Sequence, residues 1–325
     1  MSYQNQLDLA LSEVRTNLLE VSKACQTPLL KDALNYVSQI PGKMLRPKLT
    51  LIAGTISDVN PGMDLIRAAT ALELLHIASL IHDDILDEST ERRTLPTVHV
   101  KFGTPVAILL GDWMLAHSFE LMSHSSDMAR QEFADLTKRL CEGQFLEAEL
   151  KSRDNYQIKD YFQMVSLKTG CMFESSLMIG LTHHRTDWNP SVLKSLRQFG
   201  TTFGIAFQIA DDILDLCSSK EFTGKDTQND IRQGLRTLPV LLALKNDQDS
   251  PLLHHLKQDN QSWLEKNLTT YLVSGTYMGQ ARDMAEDYIK KADEELRKLP
   301  QGPWIEDLSQ LGQGLKKRLS QLFVS

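Results

Sequence analysis

The hydrophobic pattern is helical along almost the whole chain. Leu7, Leu11, Val14, Leu18 and Val21 recur at alternating four- and three-residue steps, an apolar stripe that predicts an outer helix of about five turns. Pro41-Gly42 ends the next helical segment, Pro28 to Ile40, and Lys43, Arg46 and Pro47 lead into a new apolar run, Leu49 to Ala53. After the turn Asn60-Pro61-Gly62, the stretch from Met63 to about Glu88 is apolar on most faces and predicts a buried central helix. Ser89 to Phe102 reads as a loop, and Thr104 as N-cap with Pro105 at the first helical position opens a helix to about Met122. Further helices are predicted from Asp127 to Leu150 and from Asp160 to Gly180. After a polar connection, His183 to Pro190, another runs from Ser191 to about Leu216, where Gly200 and Gly204 allow a neighbour to approach closely. A polar loop, Cys217 to Gln233, precedes shorter helices that include Met278 to Leu296 and Ile305 to Leu322. Period-two alternation is nearly absent and no Ser/Gly/Pro-rich linker divides the chain, so the expected fold is all-α, one large helical domain over residues 1–325.

Two of these apolar helices end in nearly the same seven residues. Ile81-His82-Asp83-Asp84-Ile85-Leu86-Asp87 returns as Ile209-Ala210-Asp211-Asp212-Ile213-Leu214-Asp215, with only His82 and Ala210 differing. Each copy puts two carboxylates one turn apart on one face. Such a pair costs an exposed helix about 0.2–0.5 kcal/mol, and burial raises the penalty by disfavouring the ionised forms. A divalent cation removes it. Carboxylates are hard ligands, and Mg²⁺ characteristically keeps several waters while joining one or two of them to substrate phosphate oxygens. Two facing acid patches therefore suggest a multi-magnesium clamp on a phosphate-bearing substrate. Cations follow at the helix mouths: Arg92-Arg93 beyond the first copy, Lys225 beyond the second, and Lys43 with Arg46 at another helix start. Arginine forks suit diphosphate oxygens, and lysine adds a point charge.

Composition narrows the picture. With 325 residues and 42% hydrophobic content the chain can bury a large core, and a net charge of −7 argues against broad nucleic-acid affinity. Cys25, Cys141, Cys171 and Cys217 are far apart, as expected of reduced thiols and not of a zinc site. The opening residues hold no basic segment followed by an apolar one, and no uninterrupted apolar run approaches ~18 residues, so a cytoplasmic protein without a membrane span is expected.

The motifs together resemble the trans-prenyltransferases, the head-to-tail polyprenyl diphosphate synthases, from about Pro41 to Pro239. Gly42-Lys43-Met44-Leu45-Arg46-Pro47 is similar to the GGKxxRP segment of that family, Glu73 to Asp87 to its first aspartate-rich motif, and Glu91-Arg92-Arg93 to Thr97 to its RRGxPT. Lys168-Thr169 resembles its KT pair, Gly204 to Asp215 its second aspartate-rich motif, and Gly224-Lys225 with Asp230 to Pro239 the tail that closes over the site. Departures are Pro41 for a glycine, Met44 where a basic residue is frequent, Thr94 at a glycine place, and Leu235 where lysine is frequent, with Arg236 beside it.

The resemblance implies an isoprenoid-synthase helical bundle with a central cavity, and Mg²⁺-dependent condensation of isopentenyl diphosphate onto an allylic diphosphate. It implies three magnesium ions, two on Asp83 and Asp87 and one on Asp211, with Asp84, Asp212 and Asp215 supporting them. Arg92, Lys168, Thr169, Gln208 and Lys225 would hold the allylic diphosphate, and Lys43, Arg46, His76 and Arg93 the isopentenyl diphosphate. A homodimer is implied, with transient membrane contact as a route for product release.

Ala78 and Ser79, five and four positions before Asp83, would line the first units of the growing tail. Bulky residues there close the pocket early in the resembling family, so two small ones predict a product longer than fifteen carbons, about six to eight isoprene units (C30–C40). Three competing readings remain: a terpene cyclase, which would not need the isopentenyl diphosphate cradle; a di-iron bundle prompted by Glu73-x-x-His76, which lacks a second such motif; and one subunit of a heteromeric synthase.

Overall fold

The computed structural model describes residues 2–40, 42–57, 61–153, 155–217, 236–246, 251–258 and 260–321. Among the described residues it is a helical assembly whose only strands are two residues each, as the hydrophobic periodicity predicts. The helices are α1 (Tyr3–Glu20), α2 (Pro28–Ser38), α3 (Leu45–Gly54), α4 (Met63–Leu86), α5 (Val98–Phe102), α6 (Thr104–Met122), α7 (Asp127–Lys151), α8 (Ile158–Val165), α9 (Cys171–Thr182) and α10 (Pro190–Cys217). They continue as α11 (Leu238–Asn246), α12 (Pro251–Lys257), α13 (Gln261–Ser274), α14 (Tyr277–Leu296) and α15 (Pro303–Gln321).

Every residue of α9 is buried, and α3, α4, α7 and α10 pack around it. The central helix α4 also packs on α1 and α6, and α10 lies against α14 and α15. By length and hydropathy α4 could cross a membrane, but here it is a core helix surrounded by protein. The four cysteines are unpaired.

Three details differ from the pattern-based expectation. The stretch Ser89 to Phe102, read as loop, holds an antiparallel hairpin (β1, Glu91–Arg92; β2, Leu95–Pro96) and the short α5. Gly103, at φ +89°, caps α6, so Thr104 is already helical and Pro105 falls one place later than a first-position proline. The helix expected from Asp160 to Gly180 is broken by one π turn, Ser166–Gly170. Periodicity cannot show a single widened turn, and such turns concentrate at functional sites.

The π turn is pressed from two sides. A Cβ on Gly143 of α7 would stand 2.9 Å from the Lys168 backbone nitrogen, and one on Gly204 of α10 would stand 2.8 Å from Gly170 Cα. Gly200 makes the same kind of contact one turn earlier, with a Cβ there 2.5 Å from Glu174 Cα. These glycines serve close backbone approach, as expected for Gly200 and Gly204. Because the obstacle at Gly204 is backbone and cannot rotate away, Gly204→Ala should destabilise the fold by about 1–3 kcal/mol, measured by chemical denaturation.

Candidate functional site

The two acidic helix ends meet across one cavity of about 1420 Å³. Asp83 and Asp84 from α4 and Asp211 and Asp215 from α10 line it, together with Lys43, Arg46, His76, Ala78, Ser79, Arg92, Arg93, Lys168, Thr169 and Gln208. Thus the structure brings nearly the whole predicted set to one place. Asp87, the C-cap of α4, joins through Lys151, whose Nζ lies 2.9 Å from Asp87 Oδ1. Lys225, with Gly224 and Asp230, lies outside the described residues.

The aspartates divide into two kinds. Asp84 is buried and takes a forked contact from Arg92, with Nε at 2.9 and 3.0 Å and Nη2 at 2.7 Å. Burial pushes its carboxyl up, and Arg92 opposes the shift. Asp212, also buried, accepts from the Tyr161 hydroxyl at 2.6 Å and from Gln208 Nε2 at 2.8 Å, while Thr169 Oγ1 donates to Gln208 Oε1 at 2.8 Å. In each copy, then, the second aspartate fixes a neighbouring side chain that faces the cavity. Asp83, Asp211 and Asp215 line the cavity as well, with Asp83 Oδ2 3.7 Å from Lys168 Nζ and Asp211 Oδ1 3.5 Å from Arg318 Nη1.

Burial raises the Asp83 carboxyl to about 6, although Lys168 pulls it down. Glu147 and Asp87 add to the rise by repulsion. Among the described residues no three His, Cys, Asp or Glu side chains converge tightly enough to hold an ion unaided. The donors the site does offer are carboxylate oxygens, the hard ligands magnesium takes together with waters and phosphate oxygens.

The hairpin aims the arginines. Arg93 and Thr94 form its two-residue turn, both with positive φ (53° and 68°), as a primed hairpin turn requires. A β-branched threonine is strained there. Ties from Thr97 to Thr90 and Ser89, and from the Tyr36 hydroxyl to the Pro96 carbonyl at 2.6 Å, hold the turn against that strain.

On the other side Lys43 stands over the Phe207 ring and Arg46 over Phe173. Burial and the neighbouring Arg46, Arg92 and Arg93 hold His76 well below its usual value, so it is a neutral imidazole among cations. Burial raises the Glu73 carboxyl, against the pull of Arg46 and Arg93. A Cβ on Gly42 would meet Glu73 Oε1 at 2.9 Å, so the glycine lets the buried Glu73 carboxyl lie close to this backbone.

Three charged residues of the site went unrecognised in the sequence. Arg318 of α15 lines the cavity with Nη1 3.5 Å from Asp211 Oδ1, and its distance along the chain hid it. Lys151 and the buried Glu147 of α7 are the others. A signal for Glu147 existed, since Leu136, Leu140, Gly143, Glu147 and Leu150 step by four and three along one face. His82, the position at which the two acidic copies differ, reaches the Ile108 carbonyl with its Nε2–H at 3.2 Å, in space left by Gly111 of α6. Its counterpart Ala210 is wholly buried in α10.

Known proteins share this plan. Residues 27–273 match the model of the polyprenyl synthetase family. The chain is 32% identical to a geranylgeranyl diphosphate synthase of Sulfolobus acidocaldarius over 92% of this chain and 93% of that one. It is also 32% identical to heptaprenyl diphosphate synthase component 2 of Bacillus subtilis, over 92% and 86%. A solved geranylgeranyl pyrophosphate synthetase from Pyrococcus horikoshii superposes with a TM-score of 0.85 at 31% identity, covering 97% of this chain and 99% of that one. With the family model spanning most of its length and the paired acidic helix ends facing one cavity, the chain belongs to the polyprenyl synthetase family.

Proposed function

We propose that this enzyme condenses isopentenyl diphosphate head-to-tail onto an allylic diphosphate, releasing diphosphate and lengthening an all-trans chain by five carbons per cycle. The observation that carries the reading is that Asp83 and Asp211, from two different helices, line one cavity together with arginines, lysines and apolar side chains. Asp83 and Asp87 would hold two magnesium ions and Asp211 a third, supplying positive charge to the departing diphosphate. Arg92, Lys168, Thr169 and Gln208 would grip the allylic diphosphate, with Lys225 the fifth member. As the allylic C–O bond breaks, Arg92 and Lys168 stabilise the charge that gathers on the leaving oxygens.

Lys43, Arg46, His76 and Arg93 would hold isopentenyl diphosphate with its double bond toward the allylic carbon. Neutral His76 donates one hydrogen bond there without adding charge, and the arginines supply the forked contacts. After the new C–C bond forms, the departed diphosphate is the base that takes the proton. Asp84, Asp212 and Tyr161 act behind this layer, holding Arg92 and Gln208 in place.

The tail would run past Ala78 and Ser79 toward Leu75, Leu115, Thr137, Leu140 and Met172, all of which line the cavity. Small side chains at residues 78 and 79 favour a product of about C30–C40. A twenty-carbon product is the second reading, favoured by the run of α7 along the cavity from Thr137 to Lys151. At 1.5 Å per residue that wall is roughly 21 Å long, room for about four extended units. We place the enzyme in the cytoplasm as a homodimer; the heteromeric alternative draws on the relative named as component 2.

Purified protein with Mg²⁺, farnesyl diphosphate and labelled isopentenyl diphosphate should put label into an organic-extractable chain. Diphosphate release without isopentenyl diphosphate would instead mark a cyclase, and activity only after a second protein is added would mark a heteromer. Asp83→Ala and Asp211→Ala should each lower turnover at least ~10²-fold, and near-normal rates for either would remove the metal assignment. Chromatography of the products should show C30–C40 for the wild type and a shift to shorter chains for Ser79→Phe. An unchanged profile would take Ser79 out of the tail's path.

A further inference from the structure

Asp87 receives a lysine from another helix. Lys151, on the last turn of α7, sets its Nζ 2.9 Å from Asp87 Oδ1 and 3.3 Å from Glu147 Oε1. Glu147, one turn earlier, has a side chain only 4% exposed and also binds the Lys168 ammonium, which lies 3.7 Å from Asp83 Oδ2. Asp87, Lys151, Glu147, Lys168 and Asp83 thus form a string of alternating charge joining α4, α7 and the π turn. Buried Glu147 is its fixed point.

The string bears on metal binding because a carboxylate oxygen that accepts from an ammonium group is less available to a metal. A divalent ion at Asp87 would also repel a nearby Nζ, so binding there requires Lys151 to withdraw. The i, i+4 contact with Glu147 keeps the amine within reach. Lys151 also lines the cavity, where a diphosphate offers its ammonium another anion.

We propose that Lys151 is a resident competitor for Asp87 that sets how much divalent cation the first acid patch requires, with Glu147 as the positioning residue that holds it there. The inference rests on the reading that Asp83 and Asp87 hold metal.

The test is Mn²⁺ binding to the full chain without substrate, with free Mn²⁺ followed by electron paramagnetic resonance. Lys151→Gln should tighten binding about five- to tenfold, and Lys151→Arg should bind as the wild type does. Lys151→Met replaces the glutamine variant if its thermal melt shows it unfolded. Unchanged or weaker Mn²⁺ binding in a folded Lys151→Gln or Lys151→Met protein overturns the proposal. A double variant, Asp83→Asn with Asp87→Asn, separates the two levels. If it loses Mn²⁺ binding while Lys151→Gln matches the wild type, only the role of Lys151 fails; if it binds Mn²⁺ normally, the metal reading itself fails.

Discussion

Carboxylates at the ends of two apolar helices, facing one another across a shared cavity, are the constraint from which the rest of this structure follows. An ionised acid taken from water needs a partner, and several share the space around Asp83, Asp84, Asp211 and Asp212. The chain brings cations from distant parts of the sequence: Arg92 from the hairpin, Lys168 from the π turn, Lys151 from α7 and Arg318 from α15. Even so, the Asp83 carboxyl stays raised to about 6. A cation bound among these acids would relieve their mutual repulsion, and their placement on one cavity with arginines and lysines is why we read it as a magnesium and diphosphate site.

Backbone placement meets this demand as much as side-chain chemistry does. Lys168 and Thr169 ride on a widened helical turn seated against Gly143 and Gly204, which lets α7 and α10 come within backbone contact of it. The hairpin that carries Arg92 and Arg93 has threonine where a primed turn would choose glycine. Its strain persists because Tyr36, Thr90 and Ser89 anchor the flanking residues. Asp84 and Asp212 then lock Arg92 and Gln208. The cavity wall is therefore preorganised by groups that, Asp84 apart, do not line the cavity.

The helical plan was legible because burial imposes a 3.6-residue period, and the long helices α4, α7 and α10 agree with that reading to within about two residues at each end. The acid patches were legible because seven-residue stretches alike at six positions occur twice in apolar surroundings. The hairpin was not, since a ladder of two residues per strand leaves no period to detect. The π turn and the first helical residue of α6 are single-turn events below the reach of pattern. Arg318 and Lys151 became site residues only through packing between helices far apart in sequence. Glu147 was readable as a carboxylate on a core-facing stripe, and His82 only once Gly111 was seen beside it. The two aspartates of each pair look alike as letters, and their different partners appear only in three dimensions.

Anomalous diffraction from crystals grown with Mn²⁺ and an unreactive allylic thiolodiphosphate would show whether metal joins the acids to the diphosphate. Two manganese peaks are expected at Asp83 and Asp87 and one at Asp211, with the diphosphate oxygens joining them across the cavity. A diphosphate held by arginine and lysine alone, with no metal between it and Asp83, would contradict the magnesium reading.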